Sequence, residues 1–356
     1  MQERSYSLDF LKFVCAIGIV WMHFRENTCP DGLYIGTVLI NKETTGVDFL
    51  YLVEIFFVLS GFFMYPYIRK IKEGISFKEY YIPRLIRIIP MLMFCTVILE
   101  ILCYLMVCRG DTHGMEVYQP NLFGIITAGL GVEIGWGFRD AGIFRQSWYL
   151  DVLLLDYLLL FLAVRVSARM RINEKAIFIF WIILGTVCVN MESTVPFLQV
   201  QNGRGYVAFF VGLLLADRIR EGNISLLKRA AIIALFVYLL YHAFGAQYLV
   251  FGKTFLISFF VAPSIIILLQ TTPAKKIFVW RGWGELGKIS FMMYLIHIVL
   301  IVAIYDIMDV VGLNIDFAHG NMLMAFLILV LIVASILHYA IEEPVRKVLE
   351  KKLFRR

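Results

Sequence analysis

"KFVCAIGIVWMH", residues 12–23, holds a lysine and a histidine eleven positions apart in an otherwise uncharged, largely apolar run. The run extends over residues 8–26, close to the ~20 residues that cross a ~30 Å hydrocarbon core. At 100° per residue an eleven-residue step turns three full circles plus about 20°, so Lys12 and His23 share one helix face, about 16 Å apart along the axis. Ala16 and Ile19 lie between them on that face, and Asp9 sits one turn before Lys12. Ionisable groups inside a membrane span are costly and are candidates for function. A lysine snorkelling to one interface and a histidine resting at the other is the plainer alternative.

Composition extends the reading to the whole chain. Of 356 residues, 60% are hydrophobic and 17% charged, against about half and a quarter in soluble domains. Mean hydropathy is +0.79. The chain therefore reads as an all-α, polytopic membrane protein. Ten apolar segments stand at 8–26, 47–69, 83–107, 147–165, 175–190, 204–217, 229–246, 251–270, 287–308 and 320–343, of which 175–190 and 204–217 are short. Counted from the N-terminus, alternate gaps and their margins hold 2, 6, 4, 4, 4 and 6 Lys plus Arg, 26 in all. The other side holds 2, 3, 1, 1 and 0, 7 in all. By the positive-inside rule both termini are cytoplasmic. The net charge of +6 is thus a topological bias, and no nucleic-acid partner is expected.

Residues 121–137, NLFGIITAGLGVEIGWG, are apolar but carry five glycines and Glu133. They read as a re-entrant or surface element, because an eleventh crossing would break the charge alternation that follows. The first apolar run lacks a small-residue cleavage site and reads as a retained helix. One membrane-embedded domain, 1–356, is expected, with no appended soluble domain. Cys15, Cys95, Cys103 and Cys188 fall in or beside apolar segments and read as packing residues; Cys29 and Cys108 lie on the outer side and could pair.

Further polar residues punctuate the segments. In "VEIFFVLSGFFM" (53–64), Glu54 lies a turn or two below the outer interface, with Asp48 at that interface. Gly61 shares the Glu54 face and would admit a close helix or a ligand; the plainer reading pairs Glu54 with an arginine. "RLIRIIP" (84–90) sets Arg84 and Arg87 one turn apart, able to face one anion or simply to supply the cytoplasmic positive charge. In "SWYLDVLLLDY" (147–157), Trp148 suits the interface, Asp151 lies one turn deeper, and Asp156 deeper still. "ISFMMYLIH" (289–297) lines up Ser290, Tyr294 and His297 as a polar stripe, which a hydrogen-bonded structural role would equally explain. Glu342 and Glu343, before Pro344, could pair with loop arginines. Walker, GxSxG, HExxH and CxxC patterns are absent, leaving ATP hydrolysis, metalloproteolysis and iron–sulphur chemistry without support. No metal is expected.

In order along nearly the whole chain these stretches resemble the membrane-bound acyltransferase 3 family, which O-acylates surface polysaccharides and related molecules. "SLDFLKFVCAIGIVWMHF" is similar to its first-helix motif, a basic residue eleven positions before a histidine. "VEIFFVLSGFFM", "RLIRIIP", "SWYLDVLLLDYLL", "LGKISFMMYLIH" and "IEEP" resemble its later motifs. Two positions depart: Lys12 stands where arginine is usual, and Asp151 where glutamate is common.

The resemblance implies acyl-CoA, most simply acetyl-CoA, as cytoplasmic donor, and a hydroxyl of an extracytoplasmic glycan or related molecule as acceptor, in the cell membrane. Lys12, Arg84 and Arg87 would hold the donor phosphates. The pantetheine arm, about 20 Å long when extended, would reach toward His23 as general base. Glu54 or Asp151 would orient the imidazole, and Tyr294 and His297, beside Ser290, would bond the thioester oxygen. Ideal helices place those last residues about 8 Å nearer mid-membrane than His23. A transporter or flippase, and a structural membrane subunit, are the readings from other classes; protection of Arg84 and Arg87 by acyl-CoA would separate the enzyme from the transporter.

Overall fold

The computed structural model describes residues 5–30, 32–35, 38–40, 49–110, 121–138, 144–191, 193–221, 224–243 and 252–354. Helices dominate, and ten of them fall on the ten apolar segments. In chain order they are α1 (Tyr6–Thr28), α2 (Leu52–Lys72), α3 (Phe77–Cys108), the short α4 (Leu122–Gly129), α5 (Trp148–Met170), α6 (Glu174–Asn190), α7 (Val200–Glu221), α8 (Ile224–Ala243), α9 (Lys253–Leu269), the short α10 (Thr272–Ile277), α11 (Gly282–Val311), α12 (Gly320–Leu337) and α13 (Glu343–Phe354). Residues 47, 48, 244–246 and 251, at the margins of three expected segments, lie outside the described residues, and residue 48 is the Asp48 expected at the outer interface.

The all-helical expectation gains one exception, an antiparallel ribbon of β1 (Leu33–Ile35) and β2 (Val38–Ile40) with Leu33 opposite Ile40. The 121–137 stretch forms α4, eight residues or about 12 Å long, followed by a 3₁₀ turn at Ile134–Trp136. That length cannot cross ~30 Å of hydrocarbon. All six cysteines are free, so Cys29, which is buried, and Cys108, which is exposed, are unpaired.

Among the described residues, five helical stretches are long and apolar enough to cross a membrane: Tyr6–Thr28, Phe49–Lys72, Phe77–Cys108, Gly282–Val311 and Gly320–Phe354. The chain is a helical membrane protein. Its outer face fits a lipid solvent: Ile328, Ile332 and Ile336 recur every four residues along α12 and are all exposed. Helix α5 is long enough but carries Asp151, Asp156 and Arg165 within its first eighteen residues. Helix α7 is diluted by Gln201, Asn202 and Arg204.

Local signals set several ends. Helix α3 starts at Phe77, six residues before the expected 83, because Ser76 and Glu79 form a capping box: the Ser76 hydroxyl accepts from the Glu79 N–H at 3.2 Å, and the Glu79 carboxylate accepts from the Ser76 N–H at 3.1 Å. Asn173 caps α6 and Asn121 caps α4 in the same sense, each accepting from the N–H two residues on. Helix α9 contains a π segment at Leu256–Val261, and a second π segment, His338–Glu342, links α12 to α13.

The chain divides into two compact units, the first of residues 1–15, 51–82 and 152–288 and the second of 16–50, 83–151 and 289–356. In the first, α7 is central, and residues 202–213 are all buried. Glycine makes this possible. A Cβ on Gly61 of α2 would stand 1.9 Å from the Phe209 carbonyl oxygen of α7, and one on Gly212 of α7 would stand 2.1 Å from the Val58 carbonyl oxygen of α2. Gly185 of α6 and Gly203 of α7 meet in the same reciprocal way. These are backbone-to-backbone contacts of the kind small residues permit between membrane helices.

In the second unit, Phe24 of α1 packs between Phe317 and Phe326. The Tyr34 N–H donates to the Ala318 carbonyl at 2.6 Å, fastening the ribbon to the segment before α12. Arg109, just past α3, pairs with Asp306 of α11.

The backbone contact at Gly61 predicts a marked cost for one methyl group. Gly61→Ala should lose about 1–3 kcal/mol through overpacking, read as a fall of several degrees in Tm in detergent. Gly252→Ala, whose Cβ would come no nearer than 3.8 Å to Phe255, should leave Tm unchanged. Equal melting of the two variants would contradict the contact.

Candidate functional site

The last turns of α1 and the middle of α11 bring two imidazoles together. His23 Nδ1 lies 2.8 Å from His297 Nε2, with ring centroids 4.9 Å apart and planes 19° from parallel. His297 is fully buried and its Nδ1 lies 3.1 Å from the Met293 carbonyl oxygen on its own helix. His23 is half-buried. The expected 8 Å difference in depth does not keep the two side chains apart. Helix α11 runs 282–311 rather than 287–308, and at about 45 Å it exceeds the hydrocarbon thickness, so counting from an expected end misplaces its residues.

Tyr294, one turn before His297, has its ring 6.1 Å from the His297 ring and 5.5 Å from that of Tyr149. Its hydroxyl donates to the Gln146 backbone carbonyl, which ties α11 to the residues that open α5. Ser290 is buried on the same stripe. Asp151, the acid one turn into α5, is fully buried. Its Oδ2 accepts from the Ile134 N–H at 3.0 Å. Asp151 therefore anchors the turn after α4. Its Oδ1 has no hydrogen-bond partner among the described residues. The partner that His23 takes is an imidazole, not this carboxylate.

In the first unit, Glu54 is sealed from solvent and forked by Arg204: Nε to Oε1 at 2.7 Å and Nη2 to Oε2 at 2.9 Å. The Thr254 hydroxyl donates to Oε1 at 3.0 Å, and the Arg204 guanidinium lies over the Tyr51 ring at 5.2 Å. The plainer reading of Glu54, a carboxylate with its arginine, describes its contacts. The Asp9–Lys12 proximity along α1 becomes an ion pair at 3.0 Å, with the ammonium 4.5 Å from the Phe63 ring centroid. Gly287 lets the start of α11 approach Asp9, since a Cβ there would stand 2.6 Å from the Asp9 Cβ. Asp156 is fully buried against Gly205, with neither oxygen hydrogen-bonded among the described residues.

The two arginines of "RLIRIIP" differ: Arg84 is buried and Arg87 exposed. Glu342 pairs with His338 at 2.7 Å inside the π segment, and Glu343 pairs along its own helix with Arg346 and Lys347, so neither takes a loop arginine in these pairs. Among the described residues no three His, Cys, Asp or Glu side chains converge as metal ligands.

Chemically, the paired imidazoles can accept and pass a proton, and the Glu54–Arg204 fork is a closed, charge-compensated pair. Residues 5–340 match the family described as Acyltransferase domain, acyltransferase 3. The chain belongs to the acyltransferase 3 family. No curated protein and no solved structure matches it significantly. An acyltransferase 3 chain is a membrane acyltransferase.

Two residues of this acyltransferase 3 chain escape a reading of its sequence, and each left a trace. Arg204 is a lone cation between Gly203 and Gly205 in a helix whose next charged residue is Asp217; an uncompensated Glu54 elsewhere in the membrane calls for such a residue. Thr254 left only its position at the start of an apolar helix. Removing one member of a buried pair leaves the other charge uncompensated, at about 3–5 kcal/mol. Arg204→Met should therefore sharply reduce the folded fraction by size-exclusion chromatography, and the double variant Glu54→Leu/Arg204→Met should recover much of it. A single variant as well folded as wild type would contradict the pairing.

Proposed function

We propose that this protein is a membrane O-acyltransferase that moves an acyl group, most simply acetyl, from cytoplasmic acyl-CoA to a hydroxyl of an extracytoplasmic glycan or related acceptor. It would work in the cell membrane with both termini cytoplasmic. The observation that carries the reading is His23: a partly buried imidazole, hydrogen-bonded through one ring nitrogen to His297, in a chain of an acyltransferase family. Histidine is suited to take a proton near neutral pH and give it back.

The reaction needs one such group. His23 removes the proton from the acceptor hydroxyl as its oxygen attacks the thioester carbonyl, a C–O bond forms, and the C–S bond breaks. The thiolate of the donor then recovers the proton from His23, leaving free CoA. Lys12, at the other end of α1, and Arg84 and Arg87, on α3, are the residues proposed to meet the donor phosphates. The Asp9 carboxylate already offsets part of the Lys12 charge, so the arginines, with their planar forks, carry the larger share. The basic margins counted from the sequence, 26 Lys and Arg on one side against 7 on the other, support a cytoplasmic donor mouth.

Membranes containing the protein, incubated with radiolabelled acetyl-CoA, should yield a labelled hydroxyl-bearing product. His23→Ala should lower that activity by about 10²–10⁴-fold with the protein still inserted. Lys12→Ala should raise KM for acetyl-CoA by about tenfold, the lower range for a charge-assisted contact. Undiminished transfer by His23→Ala would end the proposal, and unchanged donor KM would remove Lys12 from it.

A further inference from the structure

The bonds of His297 decide which nitrogen of His23 does the work. The Met293 carbonyl can only accept, so His297 Nδ1 carries a hydrogen and donates to it. In an uncharged imidazole the other nitrogen, Nε2, is then an acceptor. Across the 2.8 Å contact the donor has to be His23 Nδ1–H, which leaves the lone pair of His23 on Nε2. The chain of hydrogen bonds runs one way, from His23 to His297 to a backbone carbonyl.

From this we propose that His297 is a positioning residue that fixes His23 in the Nδ1–H tautomer and thereby makes Nε2 its basic atom. The inference rests on the reading of His23 as the base. It assigns to an imidazole the duty that a carboxylate has in a serine–histidine–aspartate triad. The two carboxylates expected for that duty bond elsewhere: Glu54 to Arg204 and Thr254, and Asp151 to the Ile134 backbone amide.

An imidazole has an advantage in this setting. A buried carboxylate partner would place an ion inside the membrane throughout the catalytic cycle, at a standing desolvation cost. The paired imidazoles carry no charge until the acceptor hydroxyl gives up its proton. When His23 Nε2 takes that proton, the Nδ1 hydrogen can pass to His297 Nε2, and the Met293 carbonyl continues to accept from Nδ1. The positive charge is then shared by two rings until the proton returns to the thiolate, which reverses the transfer. His297 has both nitrogens committed in this arrangement, so it serves the base rather than the thioester oxygen, the role first expected of it.

The test is kinetic and compares two replacements in the full-length membrane protein. His297→Gln sets an amide oxygen near the Nε2 position and can still accept from His23 Nδ1–H. His297→Leu cannot. The Leu variant should lose about 10²-fold in kcat with KM for acetyl-CoA and for the acceptor within about twofold of wild type, the signature of an interaction realised in the transition state. The Gln variant should recover kcat to within about tenfold of wild type. Wild-type kcat in His297→Leu, or a folded Gln variant no better than Leu, overturns the positioning role while acyl transfer through His23 stands. Full activity in His23→Ala instead ends the base assignment itself.

Discussion

A 2.8 Å hydrogen bond between His23 and His297 joins the first helix to the eleventh, and the functional account depends on it. Inside a bilayer no water satisfies a stranded polar group, so each buried donor or acceptor must find its partner in the protein. His297 meets that demand twice, once locally through the carbonyl one turn back on its own helix and once through His23. The local bond comes with the helix itself and presets the tautomer before tertiary packing supplies the second imidazole. Selecting the basic nitrogen thus needs no charge.

The first unit meets the same constraint differently. There the buried ion Glu54 is kept, and its cost is offset by a bidentate guanidinium, a threonine hydroxyl and an aromatic ring. For Arg204 to reach Glu54, α7 has to lie against α2, and the reciprocal glycines Gly61 and Gly212 provide that approach. Small residues in one motif and an arginine 143 positions after Gly61 therefore act as one device. Asp151 shows a third solution, a carboxylate that accepts from the Ile134 backbone amide and so acts as a clasp for the turn after α4.

Helix positions were legible in the sequence because lipid imposes a long apolar run that local composition displays. The ten segments land on ten helices for that reason, and Gly61 could be read as a site of close approach from its face alone. Pairings were not legible. His23 and His297 are 274 residues apart, and Glu54 and Arg204 are 150 apart; no local rule connects such positions. The vertical match of His23 with His297 failed for a specific reason: α11 is longer than one bilayer crossing, so the helix end used for counting depth was wrong. The start of α3 was misjudged differently, since hydropathy points to 83 while the Ser76–Glu79 capping box points to 77. The β1–β2 ribbon leaves no apolar period long enough to read.

The orientation of one proton is the most exposed part of the account. Nitrogen-15 solid-state NMR of histidine-labelled protein in lipid distinguishes protonated from unprotonated ring nitrogens, with His23→Ala and His297→Gln supplying the assignments. The resting protein is expected to show His23 protonated at Nδ1 and bare at Nε2, with His297 in the same tautomer. A His23 protonated at Nε2 would contradict it, because its bare nitrogen would then be Nδ1, which faces His297.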